Sequence, residues 1–208
     1  MADDSYLLWL VKHTATTWWH DSADPVEVAG GLAHGASGVT TNPVLTNRAL
    51  RTHPERWIEE MRGLPDELSG EVRAEELVRR VVSRTAQALL PHFGGADVRQ
   101  GYVCGQVNPT RAGERKAMLA MARRFSAWAP NIAVKLPVTA AGLDVLEECA
   151  AEGITVTATI SFGVSQALAV AERYQRGLAR ARAAGVTPGR CFAVIMIGRL
   201  DDYLHDVA

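Results

Sequence analysis

Cysteine is scarce: Cys104, Cys149 and Cys191 are the only three in 208 residues. Their number is odd, they lie far apart and no CxxC pair occurs, which excludes both a disulfide framework and a thiolate zinc site. Each reads as a small core residue. The six histidines show no ligand spacing, so no metal is expected. Apolar runs are short as well, and none approaches the roughly 20 residues of a membrane span. The opening MADDSYLLWLVKH begins with acids rather than with the basic segment of a secretory leader, and the protein is expected in the cytoplasm. Charge of either sign is not in excess, with 22 Lys and Arg against 23 Asp and Glu and a formal net charge of −1. That leaves no field to draw nucleic acid or an anionic membrane, and no like-charge tail for docking. Low-complexity linkers are missing too. At 48% hydrophobic and 22% charged residues, the chain has the composition of one globular domain with a sizeable core, spanning 1–208.

Short apolar strands alternate with longer helical segments through six units. The strands are expected over 16–22 (TTWWHDS), 37–43 (SGVTTNP), 100–109 (QGYVCGQVNP), 132–138 (IAVKLPV), 154–162 (ITVTATISF) and 191–198 (CFAVIMIG). Helices are expected between them. Asp24 and Pro25 can open one that Gly35 closes, and 73–90 carries Leu77, Val81 and Ala88 at helical spacing with arginines opposite. Met118, Met121, Ala122 and Phe125 mark the buried face of another; further helices are expected over 140–153 and 164–185. Such an order means an α/β fold with parallel strands and right-handed crossovers.

Asp21, Asn42, Gln106, Lys135, Thr157 and Thr159 fall at or near the C-terminal ends of different consecutive strands. A (β/α)8 TIM-type barrel gathers its active site there, whereas an open sheet would cluster such groups at one switch point. Lys135 is the sharpest of these signals. Its neighbours Val134 and Leu136 are aliphatic, and desolvation disfavours a lysine's charged form, making neutral amine available for Schiff-base formation. The plainer reading is a lysine that reaches the strand end or pairs with a carboxylate such as Asp21.

Five ordered segments bring in a resemblance: GVTTNP (38–43), GYVCGQVNP (101–109), VKLPVTAAGL (134–143), EGITVTATISF (152–162) and IGRLDD (197–202). Their order and spacing resemble the transaldolase family of class I aldolases over nearly the whole length. The resemblance implies a TIM barrel in which Lys135 forms a Schiff base with the carbonyl of a ketose phosphate and a dihydroxyacetone unit is cleaved off or transferred to an aldehyde. No cofactor is then needed, because a protonated imine is itself an electron sink. It further implies that Asp21 holds substrate hydroxyls and assists proton transfer, that Asn42 in the Thr41-Asn42-Pro43 turn hydrogen-bonds near the imine, that Thr157 lines the substrate, that Gln106 and Thr159 hold a catalytic water, and that Arg199 contributes to the phosphate site. Plainer roles stand beside these. Asn42 before Pro43 can set a turn, Thr159 can be strand packing, and Arg199 can pair with Asp201 or Asp202.

The chain departs from the family at several points. Where transaldolases carry EVDP this chain reads QVNP, so Gln106 stands for the glutamate that exchanges a proton through water. The related fructose-6-phosphate aldolase group also has glutamine there, with a tyrosine in a strand-six stretch SPYVGR; here the stretch is VIMIGR, with Met196 at the tyrosine and Val194 at the serine. Thr157 stands for the usual asparagine of strand five. The last two βα units of the barrel are also missing after strand six, so that a further segment, another chain or a second copy is expected to complete the wall. Two alternatives follow: a diverged class I aldolase or lyase acting on another carbonyl compound, and a non-catalytic barrel that binds a sugar phosphate.

Overall fold

The structure, a computed structural model, describes residues 6–94 and 100–207. It divides into two compact units. One runs to Gly105 and takes in Trp128–Ile132; the other takes Gln106–Ala127 and runs on from Ala133.

In the first unit, α1 (Tyr6–His13) precedes β1 (Trp19–Asp21), α2 (Pro25–Ala33), β2 (Gly38–Thr40), α3 (Pro43–Thr52), a 3-10 turn at Pro54–Trp57, α4 (Ile58–Met61), the long α5 (Gly70–Leu89) and β3 (Tyr102–Gln106), whose last residue, Gln106, belongs to the second unit. The strands pair in parallel, with Trp19, His20 and Asp21 beside Gly38, Val39 and Thr40, and Gly38 and Val39 beside Tyr102 and Val103. Helices start where a polar side chain replaces the missing intrahelical partner of the first amides. Asp24 accepts from the Val26 and Glu27 N–H groups at 2.9 and 3.2 Å, and Pro25 supplies the first helical residue. Ala23, Ala49, Trp57 and Val81 are buried together, with Leu45, Leu50 and Met61 packed on them. The Arg84 guanidinium lies 4.8 Å from the centre of the Trp57 ring.

In the second unit, α6 (Arg115–Ser126), β4 (Ile132–Pro137), α7 (Ala140–Ala151), β5 (Val156–Thr159), α8 (Val164–Ala183), β6 (Cys191–Ala193) and α9 (Ile197–Val207) follow one another, and β4, β5 and β6 pair in parallel. Met118, Met121, Ala122 and Phe125 are all buried, the face their spacing predicts. Two glycines allow elements to touch: a Cβ on Gly142 would stand 1.9 Å from the Pro137 carbonyl oxygen, and one on Gly177 would stand 2.5 Å from both the Ala150 Cβ and the Glu147 oxygen. Along the contact of α7 and α8, Arg180 pairs with Glu148 at 2.7 Å and Arg173 with Asp144 at 2.7 Å. The Arg180 guanidinium, with help from Arg115, holds the Glu148 carboxyl below its usual range against a smaller opposing push from burial.

The six βα units are those of a partial TIM-type α/β barrel, as the alternation implies. Strand bounds are tighter than the sequence indicates. The strand expected over 16–22 shortens to Trp19–Asp21, and the one over 191–198 to Cys191–Ala193. A strand extends only as far as its neighbour offers a ladder, and β5 ends at Thr159 before a left-handed residue. Ile197 and Gly198, expected in the strand, belong to α9, and Tyr6–His13 is helical. No helix among the described residues is long and apolar enough to cross a membrane.

Candidate active site

Lys135 stands fourth in β4, half-buried between the fully buried Val134 and Leu136. Because successive strand residues point to opposite faces, the two aliphatic neighbours take one face of the sheet and Lys135 takes the other. The parallel register puts Thr157 directly beside Lys135 and Thr159 beside Pro137, so all four share that face; Phe192 comes next to Thr157 on β6. On the other flank the Val107 N–H donates to the Lys135 carbonyl at 3.2 Å. An amide in a parallel ladder bonds one residue away from its own neighbour, so this bond sets Gln106 beside Lys135. The second unit therefore brings Gln106, Lys135, Thr157 and Thr159 together.

The end of β5 is held firmly. Thr159 is buried, and its hydroxyl donates to the Met196 sulfur at 3.8 Å. Ile160 follows with φ at +62°, a conformation unfavourable for a β-branched side chain and kept only where the surroundings fix it. They do so here: Gln166 donates to the Ile160 carbonyl at 3.2 Å and accepts from the Phe162 N–H at 2.9 Å, the Ser161 hydroxyl donates to the Val194 carbonyl, and the Met196 N–H donates to the Ser161 carbonyl at 2.9 Å. Strain of this kind, directly after two candidate residues, is a signal that no residue pattern in the sequence reveals.

The first unit carries Asp21, Thr41 and Asn42. Asp21 is exposed at the C-terminal end of β1 and lines a cavity of about 250 Å³. Asn42 caps α3, its Oδ1 accepting from the Leu45 N–H at 2.9 Å, so the turn-setting role is real, while its side-chain N–H groups remain donors for a ligand. Thr41 is buried and its hydroxyl donates to the Cys104 carbonyl at 2.8 Å, tying β2 to β3. Arg199 stands on α9, exposed, 3.7 Å from Asp202. Cys104 and Cys149 are buried. Burial pushes the Cys149 and Cys191 thiols up to about 12, so neither is a nucleophile at neutral pH.

Residues 18–207 match the sequence profile described as Transaldolase/Fructose-6-phosphate aldolase. Among curated proteins, a transaldolase of Thiobacillus denitrificans is 35% identical over 173 residues, covering 80% of this chain and 48% of that protein. A probable transaldolase of Dehalococcoides mccartyi is 31% identical over 187 residues, 89% of this chain and 63% of its own. Transaldolase 1 of Streptomyces avermitilis is 34% identical over 181 residues, 81% and 47%. The chain thus spans about half the length of the curated relatives it matches.

Proposed function

Because the chain belongs to the transaldolase and fructose-6-phosphate aldolase family, we propose that it is a transaldolase-like, imine-forming enzyme that takes a dihydroxyacetone unit from a ketose phosphate. One observation carries this reading: the single strand lysine, Lys135, stands on one sheet face between Gln106 and Thr157.

The chemistry assigns a task to each group. The Lys135 amine adds to the ketose carbonyl carbon and water leaves, giving a protonated imine. That imine draws in the electron pair of the bond between the third and fourth substrate carbons. The bond breaks, the hydroxyl proton of the fourth carbon passes to the Asp21 carboxylate, and an aldehyde departs while an enamine stays on Lys135. In the transfer direction the enamine attacks an acceptor aldehyde, Asp21 returns its proton to the new alkoxide, and water releases the product and regenerates the amine. Gln106 and Thr159 hold that water; a glutamine amide can orient it but not exchange its proton. Thr157 and the Asn42 N–H groups bind substrate hydroxyls near the imine, the Thr41 hydroxyl steadies the turn that carries Asn42, and Arg199 assists with the phosphate. The reaction proceeds in the cytoplasm.

A second reading, a diverged class I aldolase for another carbonyl compound, is favoured by Met196, whose thioether meets the Thr159 hydroxyl and offers no proton. Turnover separates the two. Transfer from fructose 6-phosphate to D-glyceraldehyde that disappears in Lys135→Ala supports transaldolase chemistry; turnover only with unphosphorylated ketones supports the second reading; and transfer that survives Lys135→Ala refutes both.

A further inference from the structure

Strand β5 and helix α8 are joined by residues 160–163, and one side chain spans that link. Ile160 takes φ of +62°, a left-handed conformation that a β-branched side chain disfavours. The Gln166 side-chain amide donates to the Ile160 carbonyl at 3.2 Å, and its oxygen accepts from the Phe162 N–H at 2.9 Å. One residue thus meets a backbone acceptor and a backbone donor on the two sides of Ser161. Glutamine is suited to this, because its amide both donates and accepts, whereas a carboxylate only accepts and an ammonium only donates.

Gln166 stands third in α8, with Gly163 at the helix start. That is the spacing of a capping box, in which the third residue reaches back to the N–H of the capping residue. The bonds made here are different. They pass Gly163 and end on Phe162 and Ile160, so they fix the end of the strand and not only the first turn of the helix.

The consequence reaches Thr159. Its carbonyl accepts from the Val138 N–H, just past β4, at 2.7 Å, and its hydroxyl donates to the Met196 sulfur. The peptide between Thr159 and Ile160 carries that carbonyl, so rotating Ile160 out of the left-handed region must turn either this peptide or the chain beyond it. The first movement breaks the bond from Val138. The second pulls Ser161 away from the Val194 carbonyl and the Met196 N–H. Either way Thr159 loses a support on the sheet face it shares with Lys135.

We propose that Gln166 is a positioning residue for the imine chemistry: by holding Ile160 left-handed it sets the Thr159 hydroxyl and the water which that hydroxyl binds. The inference rests on the reading of Thr159 as a group that holds water for an imine-forming Lys135.

Transfer from fructose 6-phosphate to D-glyceraldehyde is measured in Gln166→Ala, in Thr159→Val and in the double variant. Gln166→Ala is expected to lower kcat ~10- to 100-fold, with KM changed less than ~3-fold, and to add no further loss once Thr159→Val is present. Gln166→Glu, which keeps the acceptor and loses the donor, is expected to fall between wild type and Gln166→Ala. In the Gln166→Ala background, Ile160→Asn places a residue tolerant of the left-handed region at the turn and is expected to restore most of the lost kcat, a rescue that a helix cap alone would not give. Losses that multiply in the double variant, no recovery with Ile160→Asn, or wild-type kcat in Gln166→Ala would overturn the proposal. Amide hydrogen exchange at Val138 needs no turnover: it is expected to quicken ~10-fold in Gln166→Ala and to return toward wild type with Ile160→Asn. Absence of transfer in the wild-type protein sinks the enzymatic reading alone, whereas unchanged exchange at Val138 sinks the role of Gln166.

Discussion

Gly177 sits in the middle of α8, and replacing it with alanine sets two effects against each other. Helix propensity alone makes Gly177→Ala stabilising by ~1 kcal/mol. Geometry says the reverse. The added methyl would lie 2.5 Å from the Ala150 Cβ, 2.5 Å from the Glu147 oxygen and 3.2 Å from the Ala151 nitrogen, where ordinary carbon contacts are ~3.5–4.0 Å. None of those three atoms can swing aside by changing a rotamer, so α7 and α8 must separate by ~1 Å. Overpacking of this kind costs ~1–3 kcal/mol, and the rigidity of the neighbours places it in the upper part of that range. The expected net effect is destabilisation by ~1–2 kcal/mol. Gly30 in α2 is the matched control: nothing lies within 4 Å of its would-be Cβ, so Gly30→Ala is expected to stabilise by ~1 kcal/mol. Urea unfolding followed by circular dichroism measures both. If Gly177→Ala proves stabilising by as much as Gly30→Ala, the close approach of α7 and α8 is wrong.

Asn42→Ala removes the cap of α3 and is expected to cost ~1 kcal/mol in addition to any loss of turnover; Asn42→Ser, which keeps a capping oxygen, is expected to recover most of the stability in thermal melts but not the contact made by the amide N–H groups. Glu76 gives a pH signature. Its carboxylate, held chiefly by hydrogen bonds from Arg79 and then Arg80 against the opposing push of burial, is lowered from 4.5 to about 2. A depressed folded-state pKa contributes stability present above the unfolded value and lost as pH falls through the folded one. Glu76→Gln is therefore expected to be less stable than wild type by ~1 kcal/mol at pH 7, allowing for screening at the half-exposed Arg79, and to converge with it between pH 4.5 and about 2. Equal deficits at pH 7 and pH 2.5 in urea titrations would show that the ion pairs contribute nothing.

Much of this was readable from residue order because it depends on local rules. The β/α alternation, the buried face of α6 and the position of Lys135 beside Gln106 and Thr157 all follow from period, turn residues and the placement of polar groups at strand ends. What was not readable depends on partners distant in sequence. The lengths of β1 and β6 are set by their neighbours' ladders, and the left-handed turn at Ile160 is imposed by Gln166, Ser161 and Met196 although isoleucine disfavours it. Thr41 and Asn42 are a further case. The turn motif pointed at substrate, and it did not show that the Thr41 hydroxyl and the Asn42 oxygen also hold β2 and α3 in place.

The central claim is that Lys135 is the imine-forming group, and the composition makes it easy to test. Only three lysines occur in the chain, and Lys12 and Lys116 are both exposed on helices rather than on strands. Borohydride reduction in the presence of fructose 6-phosphate, followed by peptide mass analysis, is expected to place a reduced dihydroxyacetone-sized adduct on the peptide containing Lys135 and on no other. An adduct spread over Lys12 and Lys116, or none with any carbonyl compound, would contradict the account.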